Sequence, residues 1–183
     1  GGSLSTEIKT IDQTSDSFTY DPEDPVPSIG SQYQTFDFCG PRDRSHIQLR
    51  PDVLTFTTDV LTEDLEITGP ISATVWASSD AIDTDFTATL TDLEPEGKAI
   101  ALCEGIVRAR FRDGTENPQM IIPGKIYKFD IDMWNTSNSF NKGHRIRIEI
   151  SSSNFPRYNR NLNSGNPIAS DTDITIANQT IYH

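Results

Sequence analysis

The sequence predicts an all-β fold, a jelly-roll-like sandwich of two antiparallel sheets preceded by an extended N-terminal arm. Three observations lead there. Thr, Ser, Asp and Ile recur while Ala and Leu are sparse, and β-branched or short polar side chains suit pleated, half-buried strands better than helices. Strand-length blocks alternate apolar and polar residues with period two, and clusters of turn formers separate them. No window of a dozen residues carries a 3.6-residue apolar period, so any helix is short, with Asp43 to Ile47 the candidate.

The 183 residues suffice for one domain with a proper hydrophobic core. At 34% hydrophobic and 23% charged, the composition is polar for a globular protein yet well short of a disordered one. A formal net charge of −12 repels a phosphate backbone, which excludes nucleic acid as a partner. Part of that charge lies near the start, where Glu7, Asp12, Asp16, Asp21, Glu23 and Asp24 face only Lys9 and read as a solvated acidic arm. Cys39 and Cys103 show no paired spacing and no neighbouring His, so they are expected to be buried free thiols rather than zinc ligands. No apolar run approaches the roughly 20 residues needed to span a bilayer, and Gly1 to Lys9 lacks the regions of a signal peptide. The chain thus reads as soluble with no membrane partner; no cofactor is implied, and no compartment is assigned.

Residues 1–50 read as the arm. Asp21, Pro22, Asp24, Pro25 and Pro27 crowd together, and each Pro pushes the residue before it toward extended geometry, as in a segment that lies on a partner surface. Residues 51–183 read as the sandwich. Leu65, Ile67, Ile71, Ala73 and Val75 share one parity, with a bulge expected at Gly69 and Pro70. Phe86, Ala88 and Leu90 alternate with Thr87, Thr89 and Thr91. Residues 98–112 read as a longer strand broken near Gly105, in which Val107, Ala109 and Phe111 alternate with Arg108, Arg110 and Arg112. Tyr127, Phe129, Ile131 and Met133 alternate with Lys128, Asp130 and Asp132, and Ile146, Ile148 and Ile150 with Arg145, Arg147 and Glu149. A late run holds Ile174, Ile176 and Ile181. Turns fall at Glu94 to Gly97, Asp113 to Pro118, Pro123 to Gly124 and Asn141 to Gly143.

Catalytic chemistry has little to stand on. An α/β-type serine hydrolase needs a Ser on a sharp, Gly-flanked turn, and no GxSxG occurs; His46, His144 and His183 lack an evident Ser partner. Asp83 and Asp85 share one face of a strand, and with Asp80 they form a weak Ca²⁺ candidate whose simpler reading is a hydrogen-bonded turn before Phe86. Trp76, Trp134, Phe155 and Tyr158 could form a stacking platform for sugar rings, or pack in the core; Trp76 has the parity of Ser72 and Thr74 and is expected to face outward or into an interface. The segment Ser151 to Asn161 sets three Ser, three Asn and two Arg around Phe155 and Tyr158 directly after a strong strand, where binding groups collect or a long loop is pinned.

That segment carries a resemblance. Gly143 to Asn161, with His144, Arg145, Ile146 and then Ser151 to Arg157, is similar to the C-terminal domain shared by X-prolyl dipeptidyl peptidases, cocaine esterase and α-amino-acid ester hydrolases. Tyr20, Asp21, Pro22 and then Pro25, Val26, Pro27 resemble the linker leaving the hydrolase domain of that family. Asp52 to Thr58 resembles the strand that opens its jelly roll, and Asp83, Thr84, Asp85, Phe86 through Asp92, Pro95 and Gly97 a strand and turn typical of it. The resemblance implies a non-catalytic domain braced against an α/β-hydrolase domain and a helical cap of one serine hydrolase, the triad lying upstream, so no catalytic residue is carried to this numbering. It places Trp76, Asp83, Asp85, Phe86, Trp134, Asn154, Phe155, Arg157 and Tyr158 as candidates for the interface and substrate entrance. It also implies a last β-strand beyond Tyr182 and His183, without which an edge would be open to pairing, including with a second copy. An independent carbohydrate-binding module is the alternative, since fold alone does not decide function.

Overall fold

The computed structural model describes residues 1–7, 14–32, 39–168 and 171–183; Lys9 and Asp12 of the acidic arm lie outside the described residues. Among the described residues nine strands form: β1 (Gly2–Ser3), β2 (Ser15–Tyr20), β3 (Leu54–Thr57), β4 (Leu65–Ser79), β5 (Asp85–Leu93), β6 (Ala99–Arg108), β7 (Tyr127–Phe140), β8 (Arg145–Ser151) and β9 (Ala177–Tyr182). The first sheet has the order β1-β3-β8-β5-β6 and the second β2-β9-β4-β7, giving the two-sheet sandwich that the alternation predicts. Pairing is antiparallel except between β1 and β3. The short helix expected at Asp43 to Ile47 falls instead as a 3₁₀ turn at Ile47–Leu49, and Asp43 forms a bridge to Ile100.

The inward parity is as read. Val75, Phe86, Ala88, Leu90, Phe129, Ile131, Met133, Ile150 and Ile181 form the main core, with the Phe86 and Phe129 rings 4.6 Å apart. The bulge expected near Gly69 and Pro70 falls opposite them. The register shifts between Pro70 and Ser72 so that Met133 and Trp134 on β7 face Ile71 alone, and Trp134 takes a φ of 67°. Strand β6 runs through Gly105 without a break. A Cβ at Gly105 would lie 2.0 Å from the Asp132 carbonyl oxygen, so glycine is there because β6 and β7 of opposite sheets touch backbone to backbone. The strand instead ends at Arg108, and Ala109–Phe111 makes a 3₁₀ turn.

The arm does not stand apart from the domain. Residues 15–20 form β2, paired with β9, and the described residues after it, 21–32 and 39–53, lie on the outer face of the first sheet. Val26, Ile47 and Val53 make a second apolar cluster there. Thr87, Thr89, Thr91, Glu104 and Glu149, polar residues on the parity opposite the core, are consequently buried. Arg44 answers Glu149 with Nη2 to Oε2 at 2.9 Å and donates from Nη1 to the Ile29 carbonyl at 3.0 Å. Strand β9 sits between β2 and β4 and pairs with both. Cys103 is buried as expected, but Cys39 is exposed, because it sits in the surface segment before the Gly40 bridge rather than on a core strand.

Candidate functional site

One end of the sandwich gathers the loops after β4, β6 and β8, as the registers of Asp85 with Arg108, Thr87 with Ser151 and Ser79 with Gln179 require. Two acidic residues at positions 83 and 85 enter β5 there, and two arginines at 108 and 110 leave β6 beside them. Arg108 Nε and Nη2 donate to the two Asp85 oxygens at 2.8 and 2.9 Å. Arg110 Nε donates to Asp83 Oδ2 at 2.8 Å and its backbone N–H to Asp83 Oδ1 at 2.9 Å. Between the pairs, Asn161 Nδ2 donates to Asp83 Oδ2 at 2.8 Å and to Asp85 Oδ1 at 2.9 Å, while its Oδ1 accepts the Asn163 N–H at 3.0 Å.

Both carboxylates are fully buried, so every charge in the network is held by a partner rather than by water. Burial pushes the Asp85 carboxyl above its ordinary range, with Arg108 and Asn161 pulling against it. Burial alone would lower the Arg108 guanidinium, but the Asp85 hydrogen bonds and charge outweigh it and hold Arg108 above its ordinary value. The Tyr20 hydroxyl, which donates to the Asn161 carbonyl at 3.2 Å, is raised by burial and by the Asp85 charge. Asp83 and Asp85 are committed to guanidinium and amide donors, Asp80 Oδ1 and Oδ2 accept from Asn178 N and Nδ2 at 2.8 and 2.7 Å, and no group of three or more His, Cys, Asp or Glu among the described residues could hold a metal.

The loop after β8 is tied down in the same region. The Phe155 N–H donates to the Val26 carbonyl at 2.9 Å, Ser28 N–H to the Phe155 carbonyl at 2.7 Å and Val26 N–H to Ser153 Oγ at 2.9 Å. Arg157 Nη1 donates to the buried Glu104 Oε1 at 2.7 Å, and burial raises the Glu104 carboxyl against the pull of Arg157 and Arg44. Asn154 is buried beside Glu104, whereas the Phe155 ring is 41% exposed and the Arg160 guanidinium lies 5.8 Å from its centroid. Around them Ile82, Met120, Ile122, Ile168, Ile174 and Ile176 are also exposed, and the Gly165 backbone lies against Ile82 and Met120.

The predicted candidates therefore divide. Asp83, Asp85, Asn154, Phe155, Arg157 and Tyr158 come together at the loop end. Phe86 does not reach an interface: it is fully buried against Phe129, on the inward parity that also makes Ala88 and Leu90 core. Trp76, 51% exposed, stands on the outer face of the second sheet between Lys128 and Tyr182. Trp134, 59% exposed, is turned outward by the β7 bulge. Sequence reasoning passed over Arg108, Arg110 and Arg160. A usable signal existed, since Asp at 83 and 85 and Arg at 108 and 110 share a two-residue spacing at the ends of strands that pair as a hairpin.

Among the described residues no serine hydroxyl is hydrogen-bonded to a histidine ring; His144 Nδ1 meets Asp92 at 2.9 Å and His183 Nε2 meets Asp16 at 2.8 Å. The fold and its loop end define a two-sheet β-sandwich domain. Residues 4–183 match the X-Pro dipeptidyl-peptidase C-terminal non-catalytic domain, and the chain belongs to that family. It is 52% identical over 171 residues to cocaine esterase of Rhodococcus sp. (strain MB1 Bresler), covering 92% of this chain and 29% of that protein. Among solved structures, an α-amino acid ester hydrolase superposes with a TM-score of 0.85 at 27% identity, covering 100% of this chain and 33% of that one. An aminopeptidase from a marine sediment Thaumarchaeota archaeon does so with a TM-score of 0.85 at 28% identity, over 96% and 32% respectively. The chain thus spans about a third of the length of these relatives.

Proposed function

We propose that this domain braces the α/β-hydrolase and cap domains of a larger serine hydrolase and that its loop end is the docking face, helping to wall the substrate entrance. The parent activity would be hydrolysis of small esters or X-prolyl peptides through an acyl-enzyme. The observation that carries the reading is the contrast at that end: a buried, fully paired ion network underneath, and Phe155, Ile82, Met120, Ile122 and Ile168 exposed around it. A rigid base with exposed apolar side chains beside it is what a permanent interdomain contact uses, because ordering costs are already met before docking. Asp83, Asp85, Asn154 and Arg157 then act as the frame, and Phe155 and Tyr158 as the contacting residues.

The test has two parts. The 183-residue chain alone should leave p-nitrophenyl acetate uncleaved and take up no serine-reactive fluorophosphonate. Mixed with a separately produced hydrolase and cap pair from a family member, it should co-elute on size exclusion, and Phe155→Asp should abolish that. Stoichiometric labelling of one Ser, or co-elution indifferent to Phe155→Asp, would overturn the reading.

A second reading rests on a different surface. Trp76 stands between Tyr182 and Lys128 on a sheet face that also carries Asp130 and the hydroxyls and amides of Ser17, Thr19, Thr74, Asn178 and Thr180. An exposed indole flanked by such donors suits the apolar face of a sugar ring, as in a carbohydrate-binding module. Titration with cello- and xylo-oligosaccharides tests it: a saturable change in Trp76 fluorescence supports it, and an unchanged spectrum removes it.

A further inference from the structure

The loop end also holds a recess of about 220 Å³ whose polar lining is dominated by donors. Arg108, Arg110 and Arg160 line it together with Asn159, Asn161 and the Phe155 ring. The two inner arginines are already oriented. Each is fixed through Nε to a buried aspartate; Arg108 Nη2 donates both to Asp85 Oδ2 (2.9 Å) and to Asn159 Oδ1 (3.3 Å), and Arg110 Nη2 to the Asn166 carbonyl (3.1 Å). Arg160 differs from both: its Nη1 donates to the Pro22 carbonyl at 2.7 Å, and among the described residues it forms no ion pair. The one acidic residue in the lining, Asp171, is turned to its own loop, accepting from Ser164 Oγ, Asn166 Nδ2 and Asp173 N–H.

Asp83 and Asp85 neutralise Arg110 and Arg108 from below and Asp171 is held by neutral donors of its own loop, which leaves Arg160 at the rim as the lining cation that forms no ion pair among the described residues. On a chain of net charge −12, five of the ten arginines (108, 110, 112, 157 and 160) fall at the end of β6, in the loop after it or in the loop after β8. Planar guanidinium groups with fixed orientation and spare N–H donors match the paired oxygens of an oxyanion better than a water cluster does.

We propose that this recess is an oxyanion socket, occupied by a side-chain carboxylate that the docked domain presents to Arg160. The inference rests on the docking reading for the source of the carboxylate, but the socket itself is tested without any partner. Arginine Nε–H and asparagine side-chain resonances of the 183-residue chain would be followed by NMR at constant ionic strength during titration with the blocked peptide acetyl-Gly-Asp-Gly-amide, with acetate, and with inorganic phosphate. Saturable shifts at Arg160 and Asn159 are expected with the peptide and with acetate, weakened at least tenfold in Arg160→Gln. Asp171→Asn, which removes the one lining carboxylate, should leave binding intact or tighten it.

Linear, non-saturating shifts that are the same in Arg160→Gln overturn the socket. Phosphate binding at least tenfold more tightly than the peptide overturns the side-chain source and assigns the site to a free anion. Because no hydrolase domain is present, a failure of docking in the co-elution experiment leaves these shifts unaffected, and the two results are read separately.

Discussion

Replacing Asn161 by Ala removes one nitrogen that serves two buried carboxylates, at 2.8 Å from Asp83 and 2.9 Å from Asp85. Hydrogen bonds to charged groups contribute about 1.5–3 kcal/mol each, and the two here share a donor, so the lower bound for both gives a loss of about 3 kcal/mol. The arginine partners remain in Asn161→Ala, which keeps the loss near that bound instead of the larger cost of stranding a whole charge. In urea, with a slope of about 2 kcal/mol/M for a domain of this size, the unfolding midpoint should fall by about 1.5 M. Asn161→Asp sharpens the test by placing a third carboxylate between the first two. Like charges raise the proton affinity of that group in the folded state, so the variant's deficit should be large at neutral pH and shrink as the pH falls toward the ordinary carboxylate range. A midpoint for Asn161→Ala within about 0.5 M of the parent, equivalent to about 1 kcal/mol, would refute the claim that this amide holds the two carboxylates together.

Gly105→Ala should destabilise by about 3 kcal/mol or more in the same urea assay, because its Cβ would meet the Asp132 carbonyl oxygen at 2.0 Å and backbone must move. Glu149→Gln should cost about 3 kcal/mol by leaving Arg44 buried without its counter-charge, whereas the double change Arg44→Met with Glu149→Leu should recover most of it; equal losses would exclude a charge-pair origin. Trp134→Gly should be neutral or stabilising by about 1 kcal/mol in thermal melts, since it relieves a left-handed φ of 67° at an exposed indole. A thiol reagent at pH 8 should label Cys39 quickly in the native chain and Cys103 only after denaturation: burial, with the Glu104 charge behind it, pushes the Cys103 thiol up to about 11, so its thiolate stays scarce until the pH approaches that value.

The sequence by itself determined the class of fold and the inward face of almost every strand. Period-two alternation is a local property, and Phe129, Ile131 and Met133 had one possible side to bury once Lys128, Asp130 and Asp132 took the other. It also carried the family, through the run from Gly143 to Asn161. What alternation could not reveal was whether the polar face stays wet. Thr87, Thr89, Glu104 and Glu149 look like solvent-facing positions, yet residues 21–32 and 39–53 fold back over them and Arg44 and Arg157 supply the counter-charges from 105 and 53 residues away in sequence. The same distance hid the loop-end network: Asp83, Asp85, Arg108, Arg110 and Asn161 are unremarkable one by one, and only the β5–β6 register and the path of the loop after β8 place two carboxylates, two guanidinium groups and one amide within hydrogen-bonding reach. Gly105 was visible as a glycine in a strand, but its reason lies in a strand of the other sheet. Local chemistry fixes which side of a strand is apolar, whereas burial of charge is decided by what packs on the other side, and that is a property of the chain's path through space.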